Sequence, residues 1–136
     1  MTEFKFGTAI NCIDGRTQEA IINHMKRNHG VDGVDLVTFP GVDGILSSSY
    51  RNKEEEKKSS EEIIAPIRRA VSISVEKHGS RIIAIVGHHD CAGNPGDREH
   101  HYAGISNAMR EVSSWNFPVQ IVGYYVNDKQ EIEEVK

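Results

Sequence analysis

The stretch Arg81-Ile-Ile-Ala-Ile-Val-Gly-His-His-Asp-Cys-Ala-Gly-Asn-Pro95 constrains the chain more than any other. Its core, Ile82 to Val86, is β-branched apart from one alanine and shows no polar alternation. That is the pattern of a central parallel strand covered by helices on both faces. The run stops at Gly87 and then delivers two imidazoles, a carboxylate and a thiol. Ligands of open α/β sheets gather at the carboxyl ends of such strands. His88-x-x-Cys91 stands at that end, and one turn of loop lets both side chains reach one metal ion.

The pair needs a second half, and the start of the chain supplies one. Phe4 to Ile10 is a short run of strand formers that delivers Asn11-Cys-Ile-Asp-Gly-Arg16 at its carboxyl end. Thr17 to Asn28 carries Ala20, Ile21, Ile22 and Met25 on one helical face, and Gly30 is placed to end it. Val34 to Phe39 reads as a second strand, and Pro40 to Gly44 as a loop of residues that tolerate unusual backbone angles. Polar Ser47 to Ser60 follows. Its charge run, Lys53 to Lys58, reads as a solvated helix start or a mobile loop with no chemistry. From Ser60 a helix places Ile63, Ile67, Ala70, Val71, Ser74 and Val75 along one side and ends at Gly79; Pro66 predicts that its regular part begins close to that residue. Strand 81–87 comes next, then a helix from about Ala103 to Ser114 and a strand from Phe117 to Val126. Asn127-Asp128 turns the chain, and Gln130 to Val135 reads as an edge strand or a frayed tail. Strands alternating with helices predict an α/β fold with a mostly parallel sheet and right-handed crossovers.

Bulk properties narrow the function. A chain of 136 residues, 38% of them hydrophobic, predicts one domain over 1–136 with a real core. A formal net charge of -4 offers no basic stripe for nucleic acid and no polybasic membrane anchor. No apolar stretch approaches the ~20 residues of a membrane span, and Met1 to Phe6 lacks the long apolar core of a signal peptide. A cytoplasmic location is the expectation, with a small molecule or another protein as partner. Two cysteines in a reducing compartment point to metal binding or catalysis before a disulfide.

Joined, the two halves make a site. If the strands ahead of Cys12 and His88 are neighbours, Cys12, His88 and Cys91 supply two thiolates and one imidazole to zinc and leave the fourth tetrahedral position open, as catalytic zinc sites require. Asp14 either takes that position or forms a bidentate pair with Arg16. The loop from Cys12 to Arg16 is too short for the phosphate-cradling turn of a cysteine phosphatase. His89 and Asp90 read as solvent-facing or loop-bracing. His100-His101 and His24 with His29 read as surface histidines, not a second metal site. Trp115 and Phe117 read as core or dimer contacts.

Cys12-Ile-Asp-Gly-Arg16 and His88-His-Asp-Cys91 resemble the Cys-x-Asp-x-Arg and His-x-x-Cys motifs of the β-class carbonic anhydrases, in the same order and with a helix–strand–helix segment between them. The approach to the second motif is similar too, so the likeness spans most of residues 6–126. The resemblance implies that Cys12, His88 and Cys91 are zinc ligands and that Asp14 with Arg16 is the dyad that accepts a hydrogen bond from zinc-bound water. It implies reversible hydration of carbon dioxide to bicarbonate by zinc-bound hydroxide, in a homodimer or homotetramer. A small sheet ending in the apolar strand Val119–Val126 also predicts a partner over that edge. Relatives on this scaffold hydrolyse carbon disulfide or carbonyl sulfide, and a non-catalytic zinc or sensor protein, closed by Asp14, is the alternative of another class. The chain departs from the pattern at three places. Eleven residues precede Cys12 where the family has a long helical arm contributing a glutamine; Thr38-Phe-Pro-Gly41 replaces Arg-Asn-Ala-Gly; and Ala92 replaces a glycine.

Overall fold

The computed structural model describes residues 3–51 and 54–136. Nine elements follow in chain order: β1 (Phe6–Asn11), α1 (Gln18–His29), β2 (Gly33–Thr38), α2 (Val42–Arg51), α3 (Glu54–Glu76), β3 (Ile82–His88), α4 (Arg98–Ser113), β4 (Gln120–Val126) and β5 (Ile132–Val135). The strands form a single sheet in the order β2-β1-β3-β4-β5. The first four are parallel and β5 runs antiparallel to β4, so the α/β, mostly parallel expectation holds and the tail forms the edge strand. The expected edge at Val119–Val126 is a correction: β5 already pairs with Gly123 to Val126, and the outer strands are β2 and β5. No helix among the described residues is long and apolar enough to cross a membrane.

The strand β3 is buried along its whole length, as its unbroken apolar run requires. Side chains of a strand alternate between faces. Ile83 and Ile85 accordingly enter one core layer, with Val42 and Leu46 of α2, Ile64, Ile67 and Val71 of α3, and Ile105, Ala108 and Val112 of α4. Ile82, Ala84 and Val86 enter the other, beneath Ile21 and Met25 of α1. Each isoleucine fully withdrawn from water contributes about 1.5–3 kcal/mol, so an Ile85→Ala change would remove a central support of three helices at once. Buried hydroxyls stitch β1 to the end of α3: Thr8 Oγ1 lies 2.6 Å from Ser74 Oγ and 2.7 Å from Ser80 Oγ.

This connectivity creates the site's location. From β1 the chain crosses over α1 to β2 on one side, and from β2 it returns past β1 through α2 and α3 to β3 on the other. The strand order reverses between β1 and β3, and the carboxyl ends of those neighbours flank the crevice where open α/β sheets place their ligands.

The boundaries depart from expectation where local chemistry overrides propensity. Val42–Arg51 is a helix, leaving only Pro40-Gly41 as the turn; Gly44 and three serines hide a helical period in which Val42, Leu46 and Ser49 are buried. Gly41 has φ +59, and a Cβ there would stand 2.4 Å from the Gly93 carbonyl carbon, so two loops meet backbone to backbone. The helix around Pro66 begins at Glu54, not near the proline. Pro66 is exposed, so the Glu62 carbonyl that loses its helical donor is on the solvent side. Within the charge run, Lys53 lies outside the described residues and Glu54–Lys58 open α3. The fourth helix begins at Arg98, ahead of Ala103, because Asp97 caps it by accepting from the His100 amide at 2.8 Å. The last long strand begins at Gln120, after a tight turn in which the Val119 amide donates to the Phe117 carbonyl.

Candidate metal centre

Asn11, the last residue of β1, is fully buried and organises the loop that follows it. Its Oδ1 accepts from the Cys12 amide at 2.9 Å, and its Nδ2 donates to Thr17 Oγ1 at 3.1 Å and Gln18 Oε1 at 3.2 Å. Gln18 returns two bonds, to the carbonyls of Cys12 at 2.8 Å and Asp14 at 3.0 Å. The first turn of α1 thereby holds the Cys12–Arg16 loop in one shape. Gln18 was not singled out in the sequence, where a glutamine opening a helix gives no distinctive signal.

On the neighbouring strand, His88 ends β3 and is 2% exposed. Its Nδ1 lies 2.8 Å from the His89 carbonyl, which can only accept, so Nδ1 carries the proton and Nε2 presents a lone pair. That Nε2 is buried with no hydrogen-bond partner. Such an orphan is costly unless something binds it, and metal-ligating histidines characteristically donate their other N–H to a backbone carbonyl in this way. Cys12 and Cys91, both buried, place their sulfurs 3.9 Å apart and are not bonded to one another. The ligand atoms of Cys12, His88 and Cys91 all lie within 4.8 Å of one another. Two thiolates sharing a tetrahedral zinc at ~2.3 Å stand roughly 3.8 Å apart, so the pair is spaced for that ion. Burial, then the neighbouring Cys12, pushes the Cys91 thiol up to about 11. Burial thus opposes the Cys91 thiolate, and a divalent cation would remove that opposition because coordinated thiols are deprotonated outright. The donor set fits zinc.

Asp14 is turned away from the sulfurs and onto Arg16. Arg16 Nη2 donates to Asp14 Oδ2 at 2.7 Å, and Nε and the backbone amide donate to Oδ1 at 3.0 and 2.9 Å. The Arg16 hydrogen bonds hold the Asp14 carboxyl down at about 2 against the opposing effect of burial. Its Oδ2 is 4.0 Å from His88 Nε2, so the carboxylate borders the metal position. Asp90 braces the arginine from the other motif: its carbonyl accepts from Arg16 Nη2 at 3.1 Å, and its φ of 57 puts the loop in the left-handed region. His89 and Asp90 are exposed, as expected. A void of about 50 Å³ opens beside His88, lined by Arg16, His89, Asn127 and Gln130 among others. That is room for one or two water-sized molecules. A larger hollow of about 900 Å³ lies at the opposite end of the sheet, between Phe4, His29, His78 and Arg81. It gathers no metal-ligating set among the described residues.

The remaining histidines divide. His24 and His29 are half-buried against Tyr124, far from the cysteines in the fold, with His29 Nε2 2.5 Å from the Tyr124 hydroxyl. His101 corrects the surface expectation: it is 0% exposed and paired with buried Asp43 at 2.7 Å. Trp115 and Phe117 pack against the core.

A family model described as "Putative carbonic anhydrase" matches residues 2–136. The chain belongs to that family. Its fold is similar to one of two tetrameric β-carbonic anhydrases from the filamentous ascomycete Sordaria macrospora, with a TM-score of 0.50 and 14% identity over 98% of this chain and 82% of that one. The β-carbonic anhydrase CafA of the fungal pathogen Aspergillus fumigatus aligns with a TM-score of 0.48 and 13% identity over 98% and 76%. No curated protein sequence gives a significant match. At 14% identity the Sordaria macrospora structure speaks for the fold alone, and the carbonic anhydrase family membership rests on the family model.

Proposed function

We propose that the chain is a zinc-dependent carbonic anhydrase that interconverts carbon dioxide and bicarbonate, with Cys12, His88 and Cys91 as the metal ligands. The observation that carries this reading is the convergence of two buried sulfurs and an unpartnered imidazole nitrogen beside a carboxylate already committed to an arginine. Bound there, zinc supplies hydroxide at neutral pH by lowering the pKa of a coordinated water to about 7. The protein's own part is orientation. Asp14, ionised throughout the neutral range, is acceptor-only, and after serving Arg16 it retains lone pairs with which to hold the attacking water by its proton. Arg16 keeps that carboxylate off the metal and is itself anchored by Asp90 across the crevice. His88 Nδ1, tied to the His89 carbonyl, fixes which ring nitrogen faces the site. As the water oxygen adds to the carbon of carbon dioxide, one C–O bond forms, the electron pair of one C=O π bond moves onto its oxygen, and the O–H bond that breaks releases a proton to solvent, giving bicarbonate.

The chain acts, on this proposal, as one domain in the cytoplasm and as a homodimer or homotetramer. The Sordaria macrospora enzymes are described as tetrameric, and a light-scattering mass equal to one chain would count against assembly here. Stopped-flow measurement of carbon dioxide hydration by the zinc-loaded protein tests the activity. Turnover that rises with pH is expected; a protein carrying one zinc per chain that hydrates no carbon dioxide between pH 6 and 9 refutes it.

A further inference from the structure

Resting on the metal-site reading above, we propose that Asp43 is a positioning residue for the metal centre, acting through Asn94 on Cys91. Asp43 lies in the first turn of α2, is 1% exposed, and uses its two carboxylate oxygens in opposite directions. Behind it, Oδ2 accepts from Nδ1 of fully buried His101 on α4 at 2.7 Å. In front, Oδ1 accepts from Asn94 Nδ2 at 3.1 Å, and Asn94 Oδ1 in turn accepts a hydrogen bond from His100 Nε2 at 2.8 Å. Asn94 stands three residues beyond Cys91 in the same loop, so its bond to Asp43 anchors the segment that carries the sulfur. A chain of contacts thus runs from the buried His101–Asp43 pair through one asparagine to the loop of a proposed ligand.

The residue just ahead of α2 also reaches the other sulfur, because the Gly41 amide donates to Cys12 Sγ at 3.4 Å. Close packing leaves little freedom around this network. A Cβ on Gly44 would stand 2.7 Å from the Asn94 side chain, and one on Gly87, the residue before His88, would stand 2.5 Å from Asp43 Oδ2. One buried carboxylate is therefore set against the approaches to Cys91 and His88, while the residue ahead of its helix holds Cys12. Partners of this kind, one bond removed from a ligand, typically change metal affinity 10–100-fold when removed.

The test compares Asn94→Ala, Asp43→Asn and the double variant with the parent protein, each loaded with zinc and then challenged with excess chelator, and each loaded with cobalt(II) for its thiolate charge-transfer and ligand-field bands. Asn94 is half-buried on a loop, so Asn94→Ala retains the fold even where Asp43→Asn loosens it. Zinc release at least tenfold faster in Asn94→Ala, shifted cobalt bands, and a double variant no worse than the more affected single one support the proposal. Release within twofold of the parent from folded Asn94→Ala, or additive effects in the double variant, overturns it while leaving the zinc reading intact. A parent that binds neither metal overturns both.

Discussion

His88 and His101 are the same residue, both buried, and each leaves Nε2 without a partner. What differs is where Nδ1 goes and what stands before Nε2. In His88 Nδ1 donates to a neutral backbone carbonyl, and Nε2 looks onto two sulfurs and a carboxylate edge. In His101 Nδ1 donates to a buried carboxylate, and the ring packs near Tyr125 and His100 with no metal-ligating group gathered around it among the described residues. Burial of an imidazole is therefore not the mark of a metal ligand. The mark is a lone pair fixed by a second-nitrogen bond and aimed at further donors.

The largest effect that could break this contrast concerns the donors facing His88. Cys91→Ser, measured for metal content after reconstitution, should lose the one zinc per chain and with it all activity, since the hydroxyl is a far poorer ligand than a thiolate. Full zinc retention would mean that the ligand set is wrong and that the orphaned nitrogen of His88 has some other use.

The contrast sharpens when both rings are truncated in the metal-free protein. His101→Ala strips a buried carboxylate of its donor and empties a ring-sized space between helices, and breaking a buried pair from one side costs about 3–5 kcal/mol. For a chain of this size that is a fall in Tm of roughly 10 °C or more. His88→Ala removes a group that serves the metal-free fold through a single bond to its neighbour, so its fall should be less than half as large. Equal losses in thermal melts would erase the distinction between brace and ligand.

His88 could be read in the sequence and His101 could not, for a physical reason. A buried parallel strand announces itself by composition, and a His-x-x-Cys pair at its carboxyl end inherits a position, so strand logic together with a motif points to Cys12, His88 and Cys91 as the candidate group that the fold brings together. The sheet's parallel order followed from the same alternation of elements. Asp43, Asn94 and His101 come from three segments that meet only after α2 forms, and α2 itself was hidden by Gly44 and Ser47 to Ser49, residues of low helix propensity. Read as part of a Pro40–Gly44 loop, an acidic residue at 43 has no buried helix turn to sit on and His101 has no partner. The true start of α4 was legible in principle, from Asp97 as a cap.

A smaller effect separates catalysis from ligation at Asp14. Asp14→Asn should keep zinc and lower the hydration rate by about 10²-fold or more, because a carboxamide presents its oxygen without charge and competes poorly for the attacking water. The pH profile gives the sharper discrimination. Arg16 holds Asp14 at about 2, below its unfolded value, so the carboxylate is fully ionised from pH 5 upward. Any rise in activity between pH 6 and 9 then belongs to the water and not to Asp14, and the profile of the Asn variant should keep its midpoint while losing height. A midpoint displaced by a full pH unit would show that Asp14 titrates with the reaction and that its pairing with Arg16 is broken in the working enzyme.

The smallest effect concerns Glu133, the counterpart of Asp14 at the far seam of the sheet. Both carboxyls are held at about 2 and both pair with an arginine, but Glu133 borders no ligand atom. Tyr102, then Asn127 and Arg98, donate to it at 2.7, 3.0 and 2.8 Å, tying β5 to α4 and to the turn after β4. A lowered folded-state value means that this stabilisation is present above the unfolded pKa, near 4.3, and is lost as pH falls toward 2. Arg98 is 55% exposed, so solvent screens the pair and its contribution is small. Glu133→Gln should therefore lower Tm slightly at pH 7, leave zinc content and turnover unchanged, and approach the parent as pH falls toward 2, where the parent's own carboxyl begins to protonate. If the variant instead loses zinc, the β4–β5 turn that lines the void beside His88 through Asn127 and Gln130 belongs to the metal centre. The boundary between framework and site would then move outward from the two motifs to the edge of the sheet.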